Sequence, residues 1–370
     1  MRLLFFFVLV IHGLVHHLGF AKAFKLAKIS QIKSTISKFA GVLWFLCTIL
    51  FVGSGYLFMV KIEYWWLPAG IAVVLSQIVI IRSWDDAKTG TLFNVIILVP
   101  VIIGYLNAQP ASFPNIYKAE VQKALKRTFG EAILTEADIK HLPPAVQKYL
   151  RFTGAVGKPK VSNCRARFTG LFKTRQEVDW IKIKSQQYDF FDDPARVFSI
   201  DSSMYGLPFD GLHMYVDGTA TMQIRAASLI RVVNAKGREM DQSETVTLLN
   251  DMCLLAPATL MNANIRWEAV DPLNVKVVFT NKAVTVTALL TFNEKGALVN
   301  FSSDDRYYSL DGTGYKKYRW TTPVKEYREV NGRKIVSFAE AVWHTPQGQF
   351  TYAKFDLTDI QYNMREFRMD

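Results

Sequence analysis

Four apolar runs crowd the first 107 residues: Leu3–Phe20, Phe39–Val60, Tyr64–Ile81 and Thr91–Asn107. Each approaches the roughly 20 helical residues that cross about 30 Å of hydrocarbon. No other feature restricts the fold as much, because a lipid-facing backbone must satisfy its own polar groups inside a helix. Residues 1–108 carry nine Lys/Arg and three Asp/Glu, whereas residues 109–370 carry thirty-five and twenty-nine, the density of a soluble domain. That asymmetry excludes a purely soluble chain, a transporter filling the whole length and a disordered chain. The first run reads as a retained helix, since only Arg2 precedes it, His12, His16 and His17 interrupt it, and no small-x-small cleavage site follows.

Lysine and arginine set the expected orientation. The first connection, Ala21–Lys38, holds Lys22, Lys25, Lys28, Lys33 and Lys38 without an acid, and the third, Arg82–Lys88, is basic at both ends. Both are expected on the cytoplasmic side of the membrane, against anionic lipid. The N-terminus and everything beyond Asn107 then lie outside. Nucleic acid is not an expected partner, because the basic residues are split between compartments and form no groove-binding motif.

His12 and His16 share a helical face at i, i+4. Ionisable groups at membrane depth suggest function, so the pair is a candidate for metal ligation or proton handling. The plainer reading is neutral imidazoles hydrogen-bonded within the bundle, to Gln77, Ser76 or Asn94. No metal and no cofactor is expected. Asp85, Asp86 and Lys88 read as a solvated turn capped by Thr89 or Thr91, or alternatively as a polar pocket with His16 and His17.

The expected outer part divides into a linker at 108–115, a helical lead-in at 116–159 and a β-rich domain at 160–370. The lead-in comprises helical stretches Ile116–Phe129 and Thr135–Phe152, the second opened by a Thr135/Asp138 capping box and broken at Pro143-Pro144. From Lys160 onward apolar and polar residues alternate, with turns at Asp217-Gly218, Lys295-Gly296 and Asn331-Gly332. One helix, Ser243–Leu260, interrupts, shortened or kinked by Pro257. The predicted fold is therefore a four-helix transmembrane bundle followed by an α+β domain. Its centre is a curved antiparallel sheet of ten or so strands, an incomplete barrel covered by helices.

Cys47 lies in an apolar run, and Cys164 and Cys253 leave a disulfide open without implying one. Motifs for nucleophilic serine, zinc protease, phosphate-loop and dinucleotide chemistry are absent. The weak catalytic candidates are Asp305, Glu340 and His344, with Glu340 and His344 on one strand face as an acid/base pair. Arg306 with Glu340 reads equally as a buried ion pair. More informative are the aromatics: Trp180, Trp267, Trp320 and Trp343, with Phe168, Phe172, Tyr188, Phe190, Phe191, Tyr205, Tyr215, Phe279, Phe292 and Phe301. Beneath a covering helix they can enclose an apolar cavity. The candidate ligand-binding residues are Leu249, Met252, Trp267, Tyr307 and Trp343.

The runs Asp304-Asp305-Arg306-Tyr307, Thr322-Pro323, Ala339-Glu340-Ala341-Val342-Trp343 and Tyr362-Asn363 resemble a bacterial domain-of-unknown-function family. So do Leu248-Leu249-Asn250-Asp251-Met252, Pro257-Ala258-Thr259-Leu260 and Trp267-Glu268, and the resemblance covers roughly residues 140–363. Ile11-His12-Gly13, Ser76-Gln77 and Asp85-Asp86-Ala87-Lys88 look like the four-helix module attached to that domain. Val324 stands where the family often has Trp. The resemblance implies a lipoprotein-carrier type of fold and no established activity. The expected function is a membrane-tethered extracytoplasmic domain that binds a lipid, another hydrophobic ligand or a lipoprotein. The alternatives are a hydrolase-like enzyme using Glu340, His344 and Asp305, or a non-catalytic envelope scaffold.

Overall fold

The computed structural model describes residues 2–30, 32–126, 132–204, 207–226, 229–309 and 314–369. The end of the predicted Ile116–Phe129 helix and Tyr205 lie outside the described residues. The chain divides into two compact units, Met1–Asn115 and Ile116–Asp370.

The first unit contains α1 (Arg2–Ala23), α2 (Lys38–Met59), α3 (Trp66–Arg82), the short α4 (Trp84–Ala87) and α5 (Gly90–Ala108). Four helices here are long and apolar enough to cross a membrane. Their large side chains point outward, with Leu4, Phe39, Val74 and Leu92 all more than half exposed, the inverse of a soluble helix. Small residues sit where helices meet. A Cβ at Gly19 would collide with the Trp44 ring, and one at Gly41 with Ala23, as close backbone approach requires.

Polar side chains turn inward and satisfy one another. His12 Nε2 lies 3.0 Å from Asn94 Oδ1, and His16 Nε2 lies 2.8 Å from Ser76 Oγ. Asn94 Nδ2 donates to Gln77 Oε1 at 3.0 Å. Both histidines are thus hydrogen-bonded within the bundle, His12 to Asn94 and His16 to Ser76. Asp86 is neither a free turn residue nor a partner of His16, because Oδ2 accepts from the Ser34 backbone N–H at 2.8 Å and its hydroxyl at 2.6 Å. That contact ties the first and third connections together on one side of the bundle.

In the chain leading into the second unit, α6 (Phe113–Leu125) starts inside the stretch expected to be a linker, with Pro114 tolerated in its first turn. Short α7 (Glu136–Ile139) has the Thr135/Asp138 capping box, and α8 (Pro144–Phe152) follows the proline break. The β1 (Asn163–Phe172), β2 (Ile181–Phe190), β3 (Ala195–Met204), β4 (Leu207–Val216), β5 (Thr219–Ala226) and β6 (Ile230–Lys236) strands form one meander. After α9 (Arg238–Leu254) and a 3₁₀ turn at Pro257–Met261 come β7 (Ile265–Ala269), β8 (Asn274–Asn281), β9 (Val284–Phe292) and β10 (Leu298–Ser303). A ribbon of β11 (Tyr307–Tyr308) and β12 (Lys316–Lys317) precedes β13 (Arg319–Val330), β14 (Arg333–Thr345) and β15 (Gly348–Tyr362).

Thirteen of these strands make one antiparallel sheet in the order β6-β5-β4-β3-β2-β1-β15-β14-β13-β10-β9-β8-β7. The sheet is open: β6 and β7 are its edges, and α9 with the 3₁₀ turn carries the chain from one edge to the other. Hairpins at Asp217-Gly218 and Asn331-Gly332 use positive φ at both turn residues, the twist-matched geometry for two-residue turns. The helix begins at Arg238, earlier than the predicted Ser243, and Pro257 opens a separate 3₁₀ turn. Cys164 and Cys253 are both buried and free.

Candidate ligand-binding site

Pleating puts every second residue of each strand on the sheet's inner face. Phe168 and Phe172 of β1, Phe198 and Ile200 of β3, and Met222 and Ile224 of β5 project inward and, with α9, bound a cavity of about 320 Å³. That volume falls within the roughly 300–1,000 Å³ of small-molecule sites. Trp320, Trp343, Phe350 and Phe355 extend its wall on the other arm.

One end of the cavity is charged. Ser243, Glu244, Thr247, Asn250, Asp251 and Leu254 form the inward stripe of α9, the i, i+3, i+4, i+7 face of one helix. Opposite stands Arg196 on β3, almost completely buried. Its Nε donates to Asp251 Oδ2 at 2.8 Å, Nη2 to Gln187 Oε1 at 3.1 Å, and Nη1 to Glu244 Oε2 at 3.4 Å. Gln187 Nε2 bridges Asp189 Oδ2 at 2.7 Å and Asp251 Oδ2 at 3.1 Å. Thr247 Oγ1 lies 3.0 Å from Glu244 Oε1. His213 Nε2 is 3.3 Å from Glu244 Oε2 but makes no aligned hydrogen bond.

These groups titrate as a set. Burial pushes Asp189 up to about 8, with neighbouring Asp251 adding to the rise and Arg196 opposing it. Burial also raises Asp251, against the pull of Arg196. Burial would raise Glu244 too, but His213, Arg196 and Arg306 together outweigh it and hold the carboxyl below its usual range. His213 falls to about 4 through burial, helped by Arg196 and Arg306 and opposed by Glu244. Near neutral pH the imidazole is therefore uncharged. Of the two acids, burial favours the protonated form more clearly at Asp189, since Asp251 makes the direct bond to Arg196. Arg196 and Arg306 face Glu244 and Asp251 at this end of the cavity.

The residues singled out from sequence fall into different places. Tyr307 and Trp343 line the cavity. Leu249 and Met252 are buried in the core on the other faces of α9, and Trp267 packs against that core from β7. The helix is enclosed on all sides, so its apolar residues contact the sheet while its polar stripe meets the cavity. Glu340 touches the cavity wall, but its carboxylate is drawn to Lys354 at 3.5 Å and Lys325 at 3.8 Å. Arg306 pairs toward Glu244 at 3.7 Å, so the Arg306–Glu340 pair is not formed. His344 Nε2 bonds Thr321 Oγ1 at 3.0 Å. A register shift between Ala341 and Val342 separates Glu340 from His344 along β14. Asp305 Oδ2 accepts from the Thr287 N–H and hydroxyl, both at 2.8 Å. The three candidates thus have three separate sets of partners.

Sequence reasoning missed Arg196, His213, Glu244 and Asp251. The available signal was Glu244, Thr247 and Asp251 on one face of a helix whose remaining faces are apolar, together with Arg196 in phase with Phe198 and Ile200.

A search of curated proteins finds no match to the chain. Among solved structures, a LolA superfamily protein from Nitrosomonas europaea is similar at 10% identity and TM-score 0.35, over 63% of this chain and 95% of that one. A DUF1329 family protein from Desulfovibrio piger is similar at 12% identity and TM-score 0.34, over 59% and 92%. Residues 132–355, which include α9 and every cavity residue named above, match a family of unknown function (DUF6544), and the chain belongs to that family.

Proposed function

We propose that the protein is a membrane-tethered extracytoplasmic binding protein for a lipid or another hydrophobic ligand. The observation that carries this reading is the cavity of about 320 Å³ between α9 and the sheet, apolar along its walls and polar at one end. An amphiphile needs that division, because its chain gains from leaving water while its head must keep polar partners. The tether is supported by four helices of membrane-spanning length with outward-facing apolar side chains. The lysine-rich first connection supports a cytoplasmic-membrane orientation with the cavity unit outside.

The test is native mass spectrometry of the full-length protein released from mild detergent, beside a Val233→Trp variant. Val233 is a partly buried cavity residue on edge strand β6, so the indole fills the cavity where the sheet tolerates change. Wild type is expected to retain one lipid-sized adduct that the variant lacks. Identical adduct patterns in the two proteins would sink the reading.

A further inference from the structure

The polar end of the cavity bears on which head group it accepts. Arg306 lies at the cavity wall with its guanidinium 4.1 Å from the Trp320 ring centre and 5.5 Å from that of Trp343, an arrangement that holds the plane of the fork. Among the described residues its one hydrogen bond runs from Nη1 to Tyr352 OH at 3.3 Å. Glu244 Oε1 stands 3.7 Å from Nη2, beyond hydrogen-bonding reach. A guanidinium has five N–H donors in a rigid fork suited to phosphate or carboxylate. Most of those donors are therefore uncommitted. The helix presents the opposite need: Asp251 uses Oδ2 for both Arg196 and Gln187, and Oδ1 has no hydrogen bond among the described residues.

We propose that the cavity selects a zwitterionic amphiphile, with its phosphate or carboxylate on Arg306 and its ammonium group against Asp251 on α9. This deepens the lipid-binding reading and rests on it. The reason is geometric: the open donors of Arg306 and the open Oδ1 of Asp251 are of opposite sign and line the same cavity. A head group of one sign pairs with one of them and leaves the other without a partner in a poorly solvated site, which is costly. A fatty acid or anionic phospholipid brings its charge beside Glu244 as well as Arg306. An uncharged glyceride leaves both the fork and Asp251 Oδ1 without partners. A zwitterion satisfies both.

The experiment loads full-length protein in detergent with equal amounts of chain-matched phosphatidylethanolamine, phosphatidylglycerol and diacylglycerol, and counts retained lipid after washing. Retention by Val233→Trp is subtracted, which removes lipid held by the apolar helices. Phosphatidylethanolamine is expected to exceed each of the others about tenfold, the scale of one charge-assisted contact. Arg306→Met should erase that preference while diacylglycerol retention stays the same. If Arg306→Met does not fold, Arg306→Lys decides, since it keeps the charge and loses the fork. Undiminished phosphatidylethanolamine retention in that variant overturns the proposal. Equal or greater retention of phosphatidylglycerol overturns the head-group selection and leaves the lipid cavity standing. No difference between wild type and Val233→Trp for any lipid overturns the cavity itself.

Discussion

Arg196 is the residue on which the charged end of the cavity turns. A guanidinium this deep costs several kcal/mol in lost hydration, and it persists because Asp251, Glu244 and Gln187 occupy its donors. Asp189, its cross-strand neighbour on β2, makes one pH-dependent contribution to stability. An acid held up to about 8 by burial binds its proton more tightly folded than unfolded. Its contribution therefore favours the fold at low pH and is lost as pH rises from about 4, the unfolded carboxylate value, toward about 8. Asp189→Asn retains an acceptor for Gln187 and removes the titration. Between pH 5 and pH 8 the Tm of the variant, followed by tryptophan fluorescence, should rise relative to that of wild type. Parallel Tm curves would show that Asp189 is not the titrating group.

Secondary-structure elements reveal why some of the site was readable in sequence and some was not. Hairpin positions followed from Asp-Gly and Asn-Gly pairs, and the Thr135/Asp138 box marked a helix start, because those signals act within a few residues. The orientation of α9 did not follow. An apolar face normally marks the buried side of a helix, and on that basis Leu249 and Met252 are the expected cavity residues. Enclosure of α9 by the curved sheet leaves no solvent side, so its polar stripe lines the cavity instead. Asp305 belongs to this scale too, because its carboxylate ties the segment after β10 to Thr287 on β9. Asp305→Ala should cost about 1.5–3 kcal/mol, the range for hydrogen bonds to a charged acceptor, seen as a lower unfolding midpoint of the second unit. An unchanged midpoint would show that the tie contributes nothing.

At the scale of the whole molecule, one chain joins four helices that turn apolar side chains outward to an open sheet that turns them inward. The proposed topology puts residue 370 outside the cytoplasm. A C-terminal alkaline phosphatase fusion should then be active and a β-galactosidase fusion at the same point inactive, and the reverse pattern would refute the orientation. By itself the sequence determined where the membrane-length helices lie, that a β-rich unit follows them and that one helix interrupts that unit. Run length, charge bias and alternation are local or additive properties, which a linear reading can sum. Only the tertiary structure decided that β15 pairs with β1, that α9 bridges the edges of an open sheet, and that Arg196, Glu244, Asp251 and Arg306 meet at one end of a cavity. These contacts join residues from about 50 to about 200 positions apart, and their worth depends on burial that no single segment specifies.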